Sequence, residues 1–185
     1  MNIPNYTGSS LSVGVSCFAA GTSIATASGS APVETLASGD LIQTVDNGLQ
    51  PLRWVGRATV AAIGADAPVV FGRGALGNDE DLVLSQNHRV LLTGPMAEIL
   101  SGESEVLTTA RSLVNGDTIY TRPGGQITYF HLLFDRHQIV FSNGARSESF
   151  HPSDADIGAF SVDARAEVLR LFPELKNDGQ TACRP

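Results

Sequence analysis

The chain has 185 residues, 42% of them apolar, which is enough for one domain with a substantial core. Its 19 acidic residues outnumber the 12 Lys and Arg to give a formal charge of -7, and the basic residues are scattered without aromatic interleaving, so no nucleic-acid partner is expected. No signal-peptide pattern opens the chain and no apolar run approaches the ~20 residues that span a bilayer; the expectation is a soluble chain with no membrane partner, cytoplasmic or exported by a signal-independent route.

In chain order, the first ten residues, MNIPNYTGSS, read as a loosely held end. Beyond them 19 glycines and 9 prolines break the chain every few positions, and amphipathic runs of helical length are nearly absent before residue 160. The segments 41–45, 52–60, 68–71, 89–92, 127–134 and 138–141 are short and rich in branched and aromatic residues, so they are expected to be strands. Asp46-Asn47-Gly48 reads as a hairpin turn between the first two, followed by turns at Asn115-Gly116-Asp117, Pro123-Gly124-Gly125 and Ser142-Asn143-Gly144. Short helices are expected over 95–100, stopped by Gly102, and over 109–114. A longer helix is expected over 161–172, with Ser161 or Asp163 as cap, an apolar stripe of Val162, Ala166 and Leu169, and Pro173 after its end; it would cover an exposed end of the sheet. The pattern is that of an all-β module of many short strands, not of alternating βαβ units.

Candidate chemistry begins at Cys17, a single internal cysteine that opens a glycine-rich β-type segment, with histidines elsewhere; these are the raw materials of a chain that attacks its own backbone. The other cysteine, Cys183, lies in a polar tail that offers little to hold a disulfide partner, so no native bridge is expected. His88, His131, His137 and His151 lack metal-ligand spacing, and the glycine-rich FGRGALG lacks the lysine and the strand-loop-helix context of a phosphate loop. Neither a metal nor a cofactor is expected.

Four blocks in order, CFAAGTSIAT, PVETLASGD, LSQNHRVLL and YFHLLFDRHQIVFSNGARSESF, resemble the Hint family, the hedgehog/intein self-processing domains, and specifically its bacterial hedgehog-type members. The resemblance divides the chain into a leader segment 1–16, a Hint domain 17–151, a helical extension 152–175 and a polar tail 176–185. It implies a horseshoe-like all-β fold with short helices and one C-terminal helix, whose two ends meet in one cleft.

The chemistry implied by the resemblance starts with attack of the Cys17 sulfur on the carbonyl of Ser16, converting the Ser16–Cys17 amide to a thioester. The departing amine needs a proton, which the resemblance assigns to His88; Ser85, three residues earlier, matches a Thr or Ser that hydrogen-bonds near the scissile amide. His137 resembles the family's later histidine. His131 falls approximately where many inteins carry an Asp that ionises or orients the cysteine; this departure leaves the activation route open, with Asp135 as the residue that takes the role instead and His131 and His137 as candidates to line the cleft. Strand alternation places His131, Leu133 and Asp135 on one face. The positions that hold the terminal His-Asn pair of splicing inteins read approximately as Glu148 and Ser149, and neither forms the cyclic imide of splicing.

N-terminal cleavage without full splicing is therefore the expected reaction, in a monomer whose substrate is its own N-terminal segment and whose acceptor is water or another small nucleophile. A sterol acceptor would require an apolar recognition segment, and the tail after Leu175 is polar. Two other readings stay open at this point: a catalytically inactive Hint scaffold acting as a binding or structural module, and a cysteine-dependent hydrolase acting in trans.

Overall fold

The computed structural model describes residues 16–150 and 162–171. The leader up to residue 15, His151, the cap candidate Ser161 and the Cys183 tail lie outside them, whereas the other cap candidate, Asp163, falls inside the helix.

The described residues form fourteen strands in two sheets, with two α-helices. Two very short strands open the fold, β1 (Phe18–Ala19) and β2 (Ser23–Thr26), followed by β3 (Gly29–Pro32), β4 (Leu41–Thr44) and β5 (Gly48–Pro51). The long strand β6 (Trp54–Ala61) comes next, then β7 (Val69–Phe71), β8 (Leu82–Leu84) and β9 (Arg89–Thr93). Helix α1 (Pro95–Ser101) has Pro at its first turn and ends at Gly102, whose φ of 78° is the left-handed conformation that glycine adopts without steric cost. The remaining elements are β10 (Glu105–Thr109), β11 (Ile119–Thr121), β12 (Gln126–Leu133), β13 (Ile139–Ser142), β14 (Ala145–Glu148) and α2 (Val162–Leu171).

One sheet runs β11-β7-β8-β1-β12-β6 and the other β10-β9-β14-β13-β2-β4-β5, with β3 added on β2. Every ladder between these strands is antiparallel, which suits a chain whose connections are mostly tight turns. At the β13–β14 turn both Asn143 (φ 45°) and Gly144 (φ 82°) have positive φ, as a two-residue hairpin loop requires. The Asn143 side chain also accepts from Ser23 N at 2.7 Å and donates to Asp81 O at 2.9 Å, so this predicted turn ties three segments together.

The main core lies between the sheets and is built on Phe18, Ile24, Leu36, Ile42, Phe71, Leu84 and Leu132, all 2% exposed or less. Each such side chain contributes about 1.5–3 kcal/mol by leaving water. Strand β12 is buried on both faces: Phe130 and Leu132 join the main core, whereas Tyr129 and Leu133 join a second cluster with Cys17, Trp54, Val60, Phe150 and Val168 of α2.

The all-β class matches the sequence reading; several element assignments differ. The partner of β4 is β5, not the predicted segment 52–60, because the hairpin closes through Leu52 N to Asp40 O and Gly39 N to Leu52 O before the chain leaves for the other sheet. The predicted helix 109–114 is instead the end of β10 followed by a single 3-10 turn, Ala110–Leu113, since residues 105–109 pair along β9. In α2 Val168 is buried, with Leu171 half-buried beside it; of the predicted stripe, Leu169 is half-buried and Ala166 is exposed. Among the described residues no helix is long and apolar enough to cross a membrane.

Candidate active site

Strand register assembles the site. Phe18 pairs with Phe130 of β12 on one side and with Leu84 of β8 on the other. Antiparallel pairing therefore sets Cys17, one residue earlier, opposite His131 and Ser85. The contacts follow this register. Cys17 N donates to Ser85 Oγ at 3.1 Å, and Cys17 Sγ lies 3.8 Å from His131 Nε2. His131 Nδ1 is 3.2 Å from Ser16 O, the carbonyl oxygen of the Ser16–Cys17 bond; a carbonyl only accepts, so Nδ1 carries the proton and the neutral ring presents its Nε2 lone pair to the sulfur. Among the described residues, His131 is thus the one ring that reaches both the Cys17 thiol and the Ser16 carbonyl.

His88 is placed by a tight turn, in which its N–H donates to Ser85 O at 3.1 Å. Its Nδ1 donates to Cys17 O at 3.0 Å, and that same oxygen accepts Ser85 N–H at 3.1 Å. The ring packs edge-on against Phe18 with centroids 4.5 Å apart. His88 therefore fixes the peptide on the far side of Cys17, while the group bonded to the scissile nitrogen is Ser85.

Glu148 completes the cluster and was not among the residues singled out as candidates from sequence. Ser147 of β14 pairs with Val90 of β9, which sets Glu148 beside Arg89. Its carboxylate is 2% exposed and accepts from Arg89 N (2.8 Å), Arg89 Nε (2.7 Å) and Ser16 Oγ (2.5 Å), with His137 Nε2 at 3.2 Å. His137, half-buried, joins the site through this carboxylate. The sequence signal was available in part: a lone acidic residue in the hydroxyl-rich RSESF, at the position that resembled His-Asn.

Asp135 is not brought to the cluster. Strand β12 ends at Leu133, the alternation that put Asp135 on the His131 face ends with it, and Asp135 pairs with Arg53 at 3.1 Å with 65% of its side chain exposed. Of the predicted set, Ser16, Cys17, Ser85, His88 and His131 meet directly and His137 stands at the margin. Among the described residues no group of three or more His, Cys, Asp or Glu is placed to hold a metal ion.

Burial sets the electrostatics. Desolvation pushes the Cys17 thiol up to about 12, against a hydrogen bond from the Ser85 side chain and with a small push from Asp66. Desolvation lowers His88 to about 4, opposed by the Glu148 charge and the Cys17 carbonyl, and lowers His131 to about 4, opposed by the Ser16 carbonyl. For Glu148 burial works against the charge, but hydrogen bonds from His137 and Ser16, the nearby His88 and Arg89 N–H outweigh it and bring the carboxyl down to about 2. At neutral pH the site holds a protonated thiol, two neutral imidazoles and a buried carboxylate.

Several solved structures are similar to this chain. The bacterial intein-like domain from Clostridium thermocellum superposes with a TM-score of 0.51 at 12% identity, covering 73% of this chain and 98% of its own. A splice-inactive variant of the AceL NrdHF class 3 split intein (TM-score 0.48, 15% identity) covers 72% of this chain and 97% of its own. A DnaB intein from Synechocystis (TM-score 0.46, 11% identity) covers 72% and 98%. At 12% identity the likeness to the Clostridium thermocellum domain concerns the fold alone. No curated protein matches the chain significantly. A family model described as Hint domain, however, matches residues 16–154, most of the chain and all of the cluster around Cys17. The chain belongs to the Hint domain family.

Proposed function

We propose that this Hint domain cleaves its own backbone at the Ser16–Cys17 bond through a thioester, without full splicing. The observation that carries the reading is the position of His131, whose Nε2 faces Cys17 Sγ at 3.8 Å while Nδ1–H donates to Ser16 O at 3.2 Å. Burial pushes the Cys17 thiol up to about 12 and keeps it protonated at pH 7, so the nucleophile needs a local base. Neutral His131 supplies one.

In the proposed sequence His131 Nε2 takes the thiol proton as sulfur bonds to the Ser16 carbonyl carbon. The negative charge that develops on Ser16 O meets Nδ1–H of the same ring, now an imidazolium. The C–N bond then breaks as the proton taken up by His131 is returned to Cys17 N, which Ser85 Oγ holds at 3.1 Å. His88 holds Cys17 O throughout, which keeps the departing amine in place. A water molecule or another small nucleophile finally takes the Ser16 acyl group and returns the Cys17 thiol. Splicing would need a side-chain amide to attack the backbone at the end of the domain; Glu148 and Ser149 stand there, and Glu148 is engaged by four donor groups of Ser16, Arg89 and His137.

The test is a folded carrier fused ahead of residue 1, followed by intact mass with and without added thiol. The reading expects release at the Ser16–Cys17 bond that Cys17→Ala abolishes and His88→Ala slows. A fusion that stays whole under every condition would leave the inactive-scaffold reading in its place.

A further inference from the structure

The side chain of Ser16, the residue on the acyl side of the bond to be cut, is held as firmly as its carbonyl. It is 9% exposed, and its hydroxyl donates to Glu148 Oε1 at 2.5 Å. The carboxylate does not depend on Ser16 for its own position. Arg89 N and Nε bind its two oxygens at 2.8 and 2.7 Å, His137 approaches Oε2 at 3.2 Å, and the β9 and β14 backbones that carry Glu148 and Arg89 are paired. A carboxylate fixed in this way is an acceptor that expects a donor.

We propose that Glu148 is a recognition residue for the residue preceding Cys17, and that it selects a hydroxyl-bearing side chain, Ser or Thr, at position 16. The inference rests on the processing reading above and names the substrate class of that same site. An apolar side chain at 16 would set a buried carboxylate oxygen against carbon, an acidic one would meet a second negative charge, and a long one has no room in a nearly closed position. The hydroxyl bond also fixes the rotation of the Ser16 peptide, so the scissile oxygen is presented to His131 Nδ1 at 3.2 Å. Recognition of the side chain and alignment of the carbonyl are therefore one event.

Thr and Val have nearly the same shape and differ in the hydroxyl, which makes them the informative pair. In the carrier fusion of the full chain, Ser16→Val is expected to cleave about 10- to 100-fold more slowly than Ser16→Thr, the range that a hydrogen bond to a charged group supports. The Thr-over-Val preference should narrow in a Glu148→Gln background, with thermal unfolding confirming that each variant is folded. A second readout needs no cleavage: in Cys17→Ala chains the Glu148 carboxyl is titrated by carbon NMR, and it should protonate at higher pH in Ser16→Val than in Ser16→Thr. Equal cleavage of the Thr and Val variants, or a Glu148 titration blind to the hydroxyl, overturns the inference and leaves the processing reading standing. A titration that responds to the hydroxyl in a chain that never releases its carrier overturns the processing reading and leaves the recognition of residue 16 in place.

Discussion

Replacing His131 should disable the reaction more than replacing any other histidine, because one ring serves both reacting atoms. Its Nε2 stands 3.8 Å from the Cys17 sulfur and its Nδ1 donates to the Ser16 oxygen at 3.2 Å. A positioned general base contributes about 10²–10⁴-fold and a single oxyanion donor about 10²–10³-fold. Groups that act together are not additive, so His131→Ala is expected to slow cleavage by at least about 10³-fold, or about 4 kcal/mol at 1.36 kcal/mol per decade. His131→Asn separates the two roles: its amide nitrogen takes the place of Nδ1 and still donates to Ser16 O, while no base faces the sulfur. Its rate should fall between those of His131→Ala and the parent chain. The assay is the rate of carrier release at pH 7 by intact mass, with thermal unfolding run in parallel because His131 is 1% exposed and its truncation leaves a hole. Release from a folded His131→Ala chain within threefold of the parent rate would refute the two-handed role of the ring.

Other outcomes follow from the same geometry. His88 and His131 are both lowered from 6.5 to about 4, so the unfolded chain takes up their protons first, and stability that is full above pH 6.5 should fall as pH drops toward 4. Each ring is worth up to about 3 kcal/mol, from 6.5 − 4 = 2.5 pH units at 1.36 kcal/mol, and Glu148 extends the loss in the same direction from pH 4.5 toward 2. Urea unfolding at pH 7, 5.5 and 4 measures this; a flat profile contradicts it. Gly56 pairs with His131 across the ladder, and a Cβ there would fall 2.0 Å from the Trp54 ring, so Gly56→Ala should cost about 1–3 kcal/mol by the same measurement. An unchanged midpoint would mean that the indole moves aside freely. Asp135→Ala removes an exposed ion pair worth about 0–1 kcal/mol and should leave carrier release unchanged; a loss beyond threefold would return Asp135 to the site.

Much of the site was legible because its members sit in chemically marked blocks. Cys17 was readable as a lone internal cysteine, Ser85 and His88 through the resemblance of their block to the Hint family, and the structure joins them through β1, which borders both β8 and β12. That strand itself, two residues long, is too short for any period to show in the sequence. The same limit hid β8, β11 and β14, whose identity as strands comes from their neighbours and not from local preference. Glu148 escaped for a related reason: its role depends on the pairing of β14 with β9, residues 59 apart in the chain, and nothing local distinguishes a buried carboxylate with four hydrogen bonds from a solvated one. Asp135 misled because alternation continues on paper past Leu133, where the strand ends and the side chain finds Arg53. In α2, Val168 and not Ala166 turns inward, since the face that is buried depends on how the helix meets the Trp54 cluster.

The most direct measurement is to trap the acyl intermediate. Hydroxylamine added to the carrier fusion should release the segment ending at residue 16 as a hydroxamate on the Ser16 carbonyl, together with a domain whose new N-terminus is Cys17, and mass spectrometry reads both products. The account predicts that pair, and its complete absence in Cys17→Ala. A fusion that remains intact in hydroxylamine, or a cut at any other bond, would contradict a thioester at Cys17.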